Sequence, residues 1–142
     1  ERFSRDSIVK CILNILADKG EGVAFVAFDE DVRYYGLANL FKYEELRDLD
    51  TLERIVQLLE DDTFMMQMLS KYNNSGVSLL IGEETGVKGL IECSIAFTRT
   101  KLPQSNNGYV GILSSKRMDY GRVVPALKEI QEAIRESLKG WY

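Results

Sequence analysis

The amino-acid sequence predicts an α+β fold in which helices flank a five-stranded antiparallel sheet. Five short runs rich in β-branched and aromatic residues are separated by polar or glycine-containing turns or by helical segments. Helical periodicity precedes the first run, separates the second from the third, and follows the fifth. Of the 142 residues, 45% are hydrophobic and 28% are charged, and there is no internal repeat. We therefore expect residues 1–142 to form one domain.

A helix and a strand hairpin are expected first. Residues 7–19 place isoleucine and leucine side chains at helical spacing, and Gly20 can end that helix. Val23–Phe28 is a β-rich run, which residues 29–31 separate from a second run at residues 32–35. The two runs are expected to be antiparallel neighbours joined by a three-residue polar turn.

Helical periodicity returns between residues 36 and 72. Asp50 is expected to cap a helix with one apolar stripe, and Asp62 to cap a shorter helix that begins at Phe64. The sequence at residues 73–76 is a turn signal. Two or three short helices should therefore connect the second strand to the third.

Three further strands and a last helix complete the fold. The strand-like runs lie at residues 77–82, 91–98 and 109–113, with turns at 85–89 and 103–108. From Asp119 a final helix carries one apolar face, with Pro125 near its start and Gly140 near its end. We expect the terminal helices on one sheet face and the middle helices across an edge, an arrangement that resembles GAF and PAS domains.

The residue types that most hydrolases and metal sites need are missing. The chain has no histidine, which removes Ser–His and Cys–His pairs and histidine-ligated zinc. Cys11 and Cys93 form no C-x-x-C pair and are expected to be buried reduced thiols. The acidic pairs at residues 61–62 and 83–84 are interpreted as solvated. We expect no enzyme, no metal ion and no cofactor.

The charge of the chain argues against a nucleic-acid surface. The net charge is −4, and residues 44–62 hold eight acidic residues against Arg47 and Arg54. The longest uninterrupted apolar stretch, Val23–Phe28, is too short to cross a bilayer. We expect a cytoplasmic domain that makes no membrane contact and does not bind DNA alone.

A methionine-rich run is the candidate self-association surface. It consists of Phe64, Met65, Met66 and Met68. Unbranched thioethers adapt to different partners, and consecutive helical positions cannot all face one core. Part of this run is therefore expected to be available to a second copy of the chain.

Several strings occur in the order found in one known family. Residues 32–40 and 44–48 are similar to its Gly-Leu-x-Asn-Leu turn and short helix, and residues 77–84 to its Val-x-x-x-Ile-Gly-x-Glu strand. Residues 92–94 fit Asp-Cys-Ser, with Glu in place of Asp. The most distinctive string, close to Arg-Met-Asp-Tyr-x-Arg-Val-Ile-Pro, supplies the motif residues Arg117, Met118, Asp119, Tyr120 and Arg122. The chain thus resembles the C-terminal half of HrcA heat-inducible transcription repressors.

The resemblance implies a function in transcription. Members of this family are expected to be homodimeric repressors with an N-terminal winged-helix domain, a GAF-like domain and an inserted dimerising segment. They act at the inverted-repeat operator of chaperone operons, with the chaperonin as corepressor. The winged-helix domain is absent from these 142 residues, so operator DNA should be bound only through it. Residues 114–116 depart from the family's usual Gly-Pro-Thr.

The distinctive motif also has a structural interpretation. Asp119 can cap the last helix by accepting from backbone N–H groups of its first turn. Arg117 and Arg122 lie on either side of Asp119 in sequence and can pair with its carboxylate. We therefore expect the motif to stabilise the start of the helix.

A small-molecule sensor is the alternative function. GAF-like domains often hold a ligand between sheet and helices, and four aromatic residues are candidates to line such a pocket: Phe25, Phe28, Tyr34 and Tyr35. An interior filled by side chains would exclude this interpretation.

Overall fold

In the computed structural model the protein is described over residues 2–72, 74–102 and 105–139. The expectations for Asn73, Pro103, Gln104 and Gly140 lie outside these residues. The elements are α1 (Arg2–Gly20), β1 (Val23–Phe28), β2 (Asp31–Tyr35), α2 (Leu49–Glu60), α3 (Asp62–Ser70), β3 (Val77–Ile81), β4 (Cys93–Leu102), β5 (Ser105–Ser115) and α4 (Tyr120–Leu138), with short 3₁₀ helices at Leu37–Lys42, Glu44–Leu46 and Gly82–Thr85.

The five strands form one sheet in the order β2-β1-β5-β4-β3, and all neighbours are antiparallel. The predicted fold class is therefore confirmed. The predicted three-residue turn between β1 and β2 is wrong, because Asp31 pairs with Phe28 and leaves only Asp29 and Glu30 in the turn. Both turn residues have positive φ, 51° and 59°, as in the two-residue turns that match strand twist.

The β4–β5 hairpin is longer than predicted. Strand pairing continues past Thr98 to Leu102, which pairs with Ser105. Gly108 was expected in the turn but pairs with Thr100 in the ladder. Polar residues extend these strands beyond the apolar runs, because backbone hydrogen bonds rather than side-chain burial define the ladder.

Helices α1 and α4 cover one face of the sheet. They pack on alternate strand residues, including Ala24, Val26, Val110 and Ile112. The helical segment 37–70 covers the opposite face and packs on Val23, Phe25, Ile95, Phe97 and Leu113. The prediction that the middle helices cross an edge is wrong. All six residues of β1 are buried, which requires cover on both faces.

The caps of the middle helices lie upstream of the predicted positions. The Asp48 carboxylate accepts from the backbone N–H of Thr51 at 3.2 Å and begins α2. The Asp61 carboxylate accepts from the N–H of Phe64 at 3.0 Å and begins α3. Asp50 and Asp62 instead lie in the first turns, where their charge suits the helix dipole.

The two cysteines lie in different environments. Cys93 is buried in the core, as expected, whereas Cys11 is exposed on α1. The prediction for Cys11 is wrong because α1 is apolar on more than the side that faces the sheet, so its sequence pattern does not single out one buried face. In the described parts of the chain, no helix has the length and apolarity of a membrane span.

Candidate functional site

The distinctive motif lies at the corner where β5 leads into α4. There the Arg117 guanidinium donates to both carboxylate oxygens of Glu45, from Nε at 2.9 Å and from Nη2 at 2.8 Å. The Ser115 hydroxyl donates to the same carboxylate, and the guanidinium lies over the ring of Tyr43, 5.6 Å from its centroid. The corner is thereby joined to the 3₁₀ helix Glu44–Leu46, which lies in the layer on the other side of the sheet.

This arrangement changes the titration of Glu45. Hydrogen bonds from Arg117 and then from Ser115 lower the pKa of Glu45 from its usual 4.5 to about 2. The same bond to Glu45 raises the pKa of Arg117. A bidentate pair of this kind holds both groups charged at neutral pH.

The other motif residues also have structural contacts. Met118 is buried in the core between the sheet and the terminal helices. The Tyr120 hydroxyl lies 2.7 Å from the carbonyl oxygen of Lys116 and 2.8 Å from the Ser94 hydroxyl. Because a carbonyl oxygen can only accept, Tyr120 donates to Lys116 and accepts from Ser94. Tyr120 therefore links the start of α4 to β4.

The predicted pairing around Asp119 is wrong. Asp119 occupies the N-cap position of α4, but its side chain makes no capping hydrogen bond. Arg117 pairs with Glu45 instead, and in the described part of the chain no ion pair joins Arg122 to Asp119. The turn before α4 places the Arg117 side chain beside the 3₁₀ helix that carries Glu45. Sequence spacing alone could not reveal a partner 72 residues away.

Removing the Glu45 charge tests the role of this corner. Because folding lowers the pKa of Glu45, its contribution to stability is complete above roughly pH 5 and is lost as pH falls towards 2. We expect Glu45→Gln to lower the urea midpoint at pH 7 and to flatten its fall between pH 5 and 2. Glu44→Gln, at the adjacent exposed position, is the matched control. Parallel pH profiles for the two variants would contradict this expectation.

The structure divides the methionine-rich run. Met65 and Met68 are 0% and 5% exposed and belong to the core, so the prediction that they lie on a surface is wrong. Both face the sheet because positions three apart share one side of α3. Phe64 is 42% exposed, and Met66 is half-buried. Of the four residues in this run, Phe64 and Met66 are the two that remain available for a contact outside the domain.

Phe64 borders a small surface cavity of about 140 Å³. The cavity is lined by Arg54, Gln57, Leu58, Asp61, Phe64 and Val87. One wall comes from α2 and the start of α3, and Val87 comes from the connection between β3 and β4. This volume suits one side chain rather than a drug-sized ligand.

The four aromatic residues proposed for an internal pocket do not lie together. Phe25 and Phe28 belong to cores on opposite faces of the sheet. The Tyr34 hydroxyl donates outward to Glu60 at 3.4 Å, and Tyr35 is 54% exposed. The prediction that they line one pocket is wrong because odd and even strand positions point in opposite directions.

The acidic pairs and Cys93 that the sequence singled out have structural surroundings. Among the described residues, no group of three or more Cys, Asp or Glu side chains could hold a metal ion. Asp61 caps a helix, and the Glu84 carboxylate accepts from the backbone N–H of Ile81 at 2.8 Å. Burial raises the pKa of Cys93 to about 12, which leaves the thiol protonated and unreactive at neutral pH.

Comparison with known proteins decides the family. The model of the HrcA protein C terminal domain matches residues 2–124. This chain belongs to the HrcA family. It is 24% identical over 131 residues to the heat-inducible transcription repressor HrcA of Moorella thermoacetica, a match that covers 92% of this chain and 38% of that protein. The chain spans about a third of the length of the curated HrcA repressors it matches.

Solved structures support the GAF-like fold of this HrcA chain. A crystal structure described only as a hypothetical protein aligns with a TM-score of 0.76 at 14% identity, covering 93% of this chain and 69% of that one. An IclR homologue from Microbacterium hydrocarbonoxydans, complexed with 4-hydroxybenzoate, aligns with a TM-score of 0.53 at 9% identity, covering 97% and 69%. At these identities the likeness concerns the fold alone.

Proposed function

We propose that residues 1–142 form the C-terminal regulatory and oligomerisation domain of a heat-shock repressor that controls chaperone operons in the cytoplasm. The observation that carries this proposal is the family match over residues 2–124, in a chain whose matches span about a third of its curated relatives. A winged-helix domain outside these residues would contact the operator. The chain itself would do no chemistry.

The charge distribution supports the separation of DNA binding from this domain. The net charge is −4, and Glu44, Asp48, Asp50 and Glu53 are exposed along the middle helical segment. Lysine and arginine side chains favour DNA binding because they neutralise phosphates and release the counterions bound there, which also makes the affinity depend on salt. An acidic surface of this kind repels the DNA backbone.

The isolated chain should therefore fail to bind operator DNA. We expect no shifted band in a gel-shift assay at physiological salt with micromolar protein and an inverted-repeat operator fragment. The whole heat-inducible transcription repressor HrcA of Moorella thermoacetica is the positive control. Tight, sequence-specific binding by residues 1–142 would contradict the proposal.

Self-association is the second part of the proposal. A repressor that reads an inverted repeat needs two copies related by a two-fold axis. The domain would supply that contact as a homodimer, and the chaperonin would act as corepressor. Exposed apolar side chains that a partner could cover include Phe41, Leu49 and Phe64, at 52%, 84% and 42% exposure.

The sensor alternative has weaker support. The IclR homologue that shares this fold was solved in complex with 4-hydroxybenzoate. In this chain, however, large side chains fill the space between the sheet and the middle helices, among them Phe25, Met65, Phe97 and Tyr109. A filled interior favours a protein-contact role over a small-molecule role.

A further inference from the structure

The surface cavity beside Phe64 contains polar groups that the fold does not use. Its lining includes the guanidinium of Arg54 and the carboxamide of Gln57, which are both exposed on α2. Within the described part of the chain, neither side chain makes a hydrogen bond or an ion pair. Arg33 and Arg117, by contrast, each bind a carboxylate of the chain itself. Two donors at one cavity are therefore left for a ligand.

The connection between β3 and β4 holds Arg54 in place. Gly89 lies in this connection with a φ of 91°, and a Cβ atom there would be 3.2 Å from Cγ and 3.5 Å from Nε of Arg54. The connection is itself anchored, because Leu90 is fully buried and its N–H donates to the carbonyl of Val87 at 3.2 Å. The stem of Arg54 thus lies against fixed backbone, and its guanidinium is presented at the cavity.

The remaining surface of the cavity is mainly apolar. Leu58 is 5% exposed, Val87 is half-buried, and the ring of Phe64 contributes a wall. The volume is about 140 Å³, close to the roughly 150 Å³ of a protein cavity that holds benzene. One ring or one branched alkyl group therefore fits.

Negative charge at the far end of the cavity limits the charge of a ligand. Asp61 also lines the cavity and follows Arg54 by seven residues, or roughly 10 Å along the helix axis. Glu60 and Asp62 flank it in sequence. These carboxylates repel a second negative charge. A ligand with a single carboxylate suits the cavity better than a dicarboxylate or a phosphate.

We propose that this cavity binds a monocarboxylate that carries one compact apolar group. The carboxylate accepts from Arg54 and Gln57, which lie three residues apart on one side of α2. The apolar group fills the space beside Leu58 and the ring of Phe64. Both a free branched or aromatic acid and the C-terminal residue of a polypeptide have this chemistry. The site lies outside the domain interior, so it depends neither on an internal sensor pocket nor on self-association.

Nuclear magnetic resonance titration of the isotope-labelled 142-residue chain tests the site. The probes are 4-methylpentanoate, a free acid, and N-acetyl-leucine, which has the structure of a C-terminal residue. We expect saturable shifts in residues 54–64 and 87–90 with a Kd of about 1 mM, as for other ligands of this size. N-acetyl-leucinamide keeps the apolar group but has no charge, so it should bind about tenfold more weakly or worse.

Three variants separate the charge from the cavity. Arg54→Gln should raise the Kd by about tenfold or more, because it removes the charged donor. Arg122→Gln is the matched control, since Arg122 is equally exposed, has no ion pair within the described residues, and lies on α4 across the sheet. Val87→Phe keeps Arg54 but fills the cavity, so it should abolish binding. The spectrum of each variant shows whether it is folded.

The two probes also distinguish the two sources of the ligand. Binding of 4-methylpentanoate alone supports a free acid, whereas tighter binding of N-acetyl-leucine supports the C-terminal residue of a polypeptide. The inference is overturned if neither probe gives saturable shifts at about 10 mM, tenfold above the expected Kd. Equal binding of the amide, or a Kd that Arg54→Gln leaves unchanged, overturns it as well. None of these results depends on whether the chain dimerises or binds DNA.

Discussion

Replacing Met65 with glutamate is expected to destabilise the domain by at least about 4 kcal/mol, a large part of the about 5 to 15 kcal/mol that stabilises a typical domain. Met65 is 0% exposed and packs in the core beneath the sheet. The variant loses that apolar packing and places a carboxyl group where it must either stay charged without solvent or take up a proton. A urea titration followed by circular dichroism measures the loss.

Two neighbours on the same helix serve as controls. Phe64→Glu and Met66→Glu change an exposed and a half-buried side chain, so we expect much smaller losses, of about 1 kcal/mol. If Met65→Glu kept the wild-type urea midpoint and only weakened a dimer, Met65 would belong to an association surface after all. Unfolding by Met65→Glu would show that charge at this position cannot test the dimer contact.

The error over Met65 and Met68 has a physical origin. In the run from Phe64 to Leu69 five of six residues are apolar, so hydrophobic periodicity does not distinguish the buried side of the helix. Which side is buried depends on how α3 lies against the sheet. That angle follows from contacts with β1 and β2, which are distant in sequence.

The strands were easier to predict than the layers. Val23–Phe28 has the predicted bounds, because six consecutive small, β-branched or aromatic residues favour a strand. Neither face of this run is polar, which indicates that both faces of the strand are buried. This sign could have predicted that the middle helices cover the second face of the sheet. The predicted N-caps of α2 and α3 lie one or two residues after the observed ones. The aspartates at positions 48, 50, 61 and 62 are all suitable N-cap residues, so the sequence alone did not decide between them.

The contact between Glu45 and Arg117 could not be predicted from the sequence. Eight acidic residues lie between positions 44 and 62, and none is marked by a local pattern as the partner of Arg117. Glu45 is the partner of Arg117 because the end of β5 lies beside the 3₁₀ helix that carries Glu45. The position of β3 at an edge of the sheet likewise follows from strand order, which local spacing does not determine.

Replacing Gly111 with alanine is expected to destabilise the domain by about 1 to 3 kcal/mol. Gly111 lies in β5 between Phe25 of β1 and Phe97 of β4, at the centre of the sheet. A Cβ atom there would lie 2.4 Å from the Phe25 ring, 2.6 Å from the carbonyl oxygen of Ala96 and 2.7 Å from the Cβ of Phe97. The carbonyl is fixed in the sheet, so the clash cannot be relieved by a side-chain rotation alone.

Gly121→Ala is the matched control for Gly111→Ala. Gly121 lies in the first turn of α4, where a Cβ atom would come no closer than 3.4 Å to Asp119. Alanine at an accommodating helical position stabilises by roughly 0.5 to 1 kcal/mol, so the two variants should move the urea midpoint in opposite directions. If Gly111→Ala instead raised the midpoint as Gly121→Ala does, the packing of Phe25 over the central strand would be looser than these distances require.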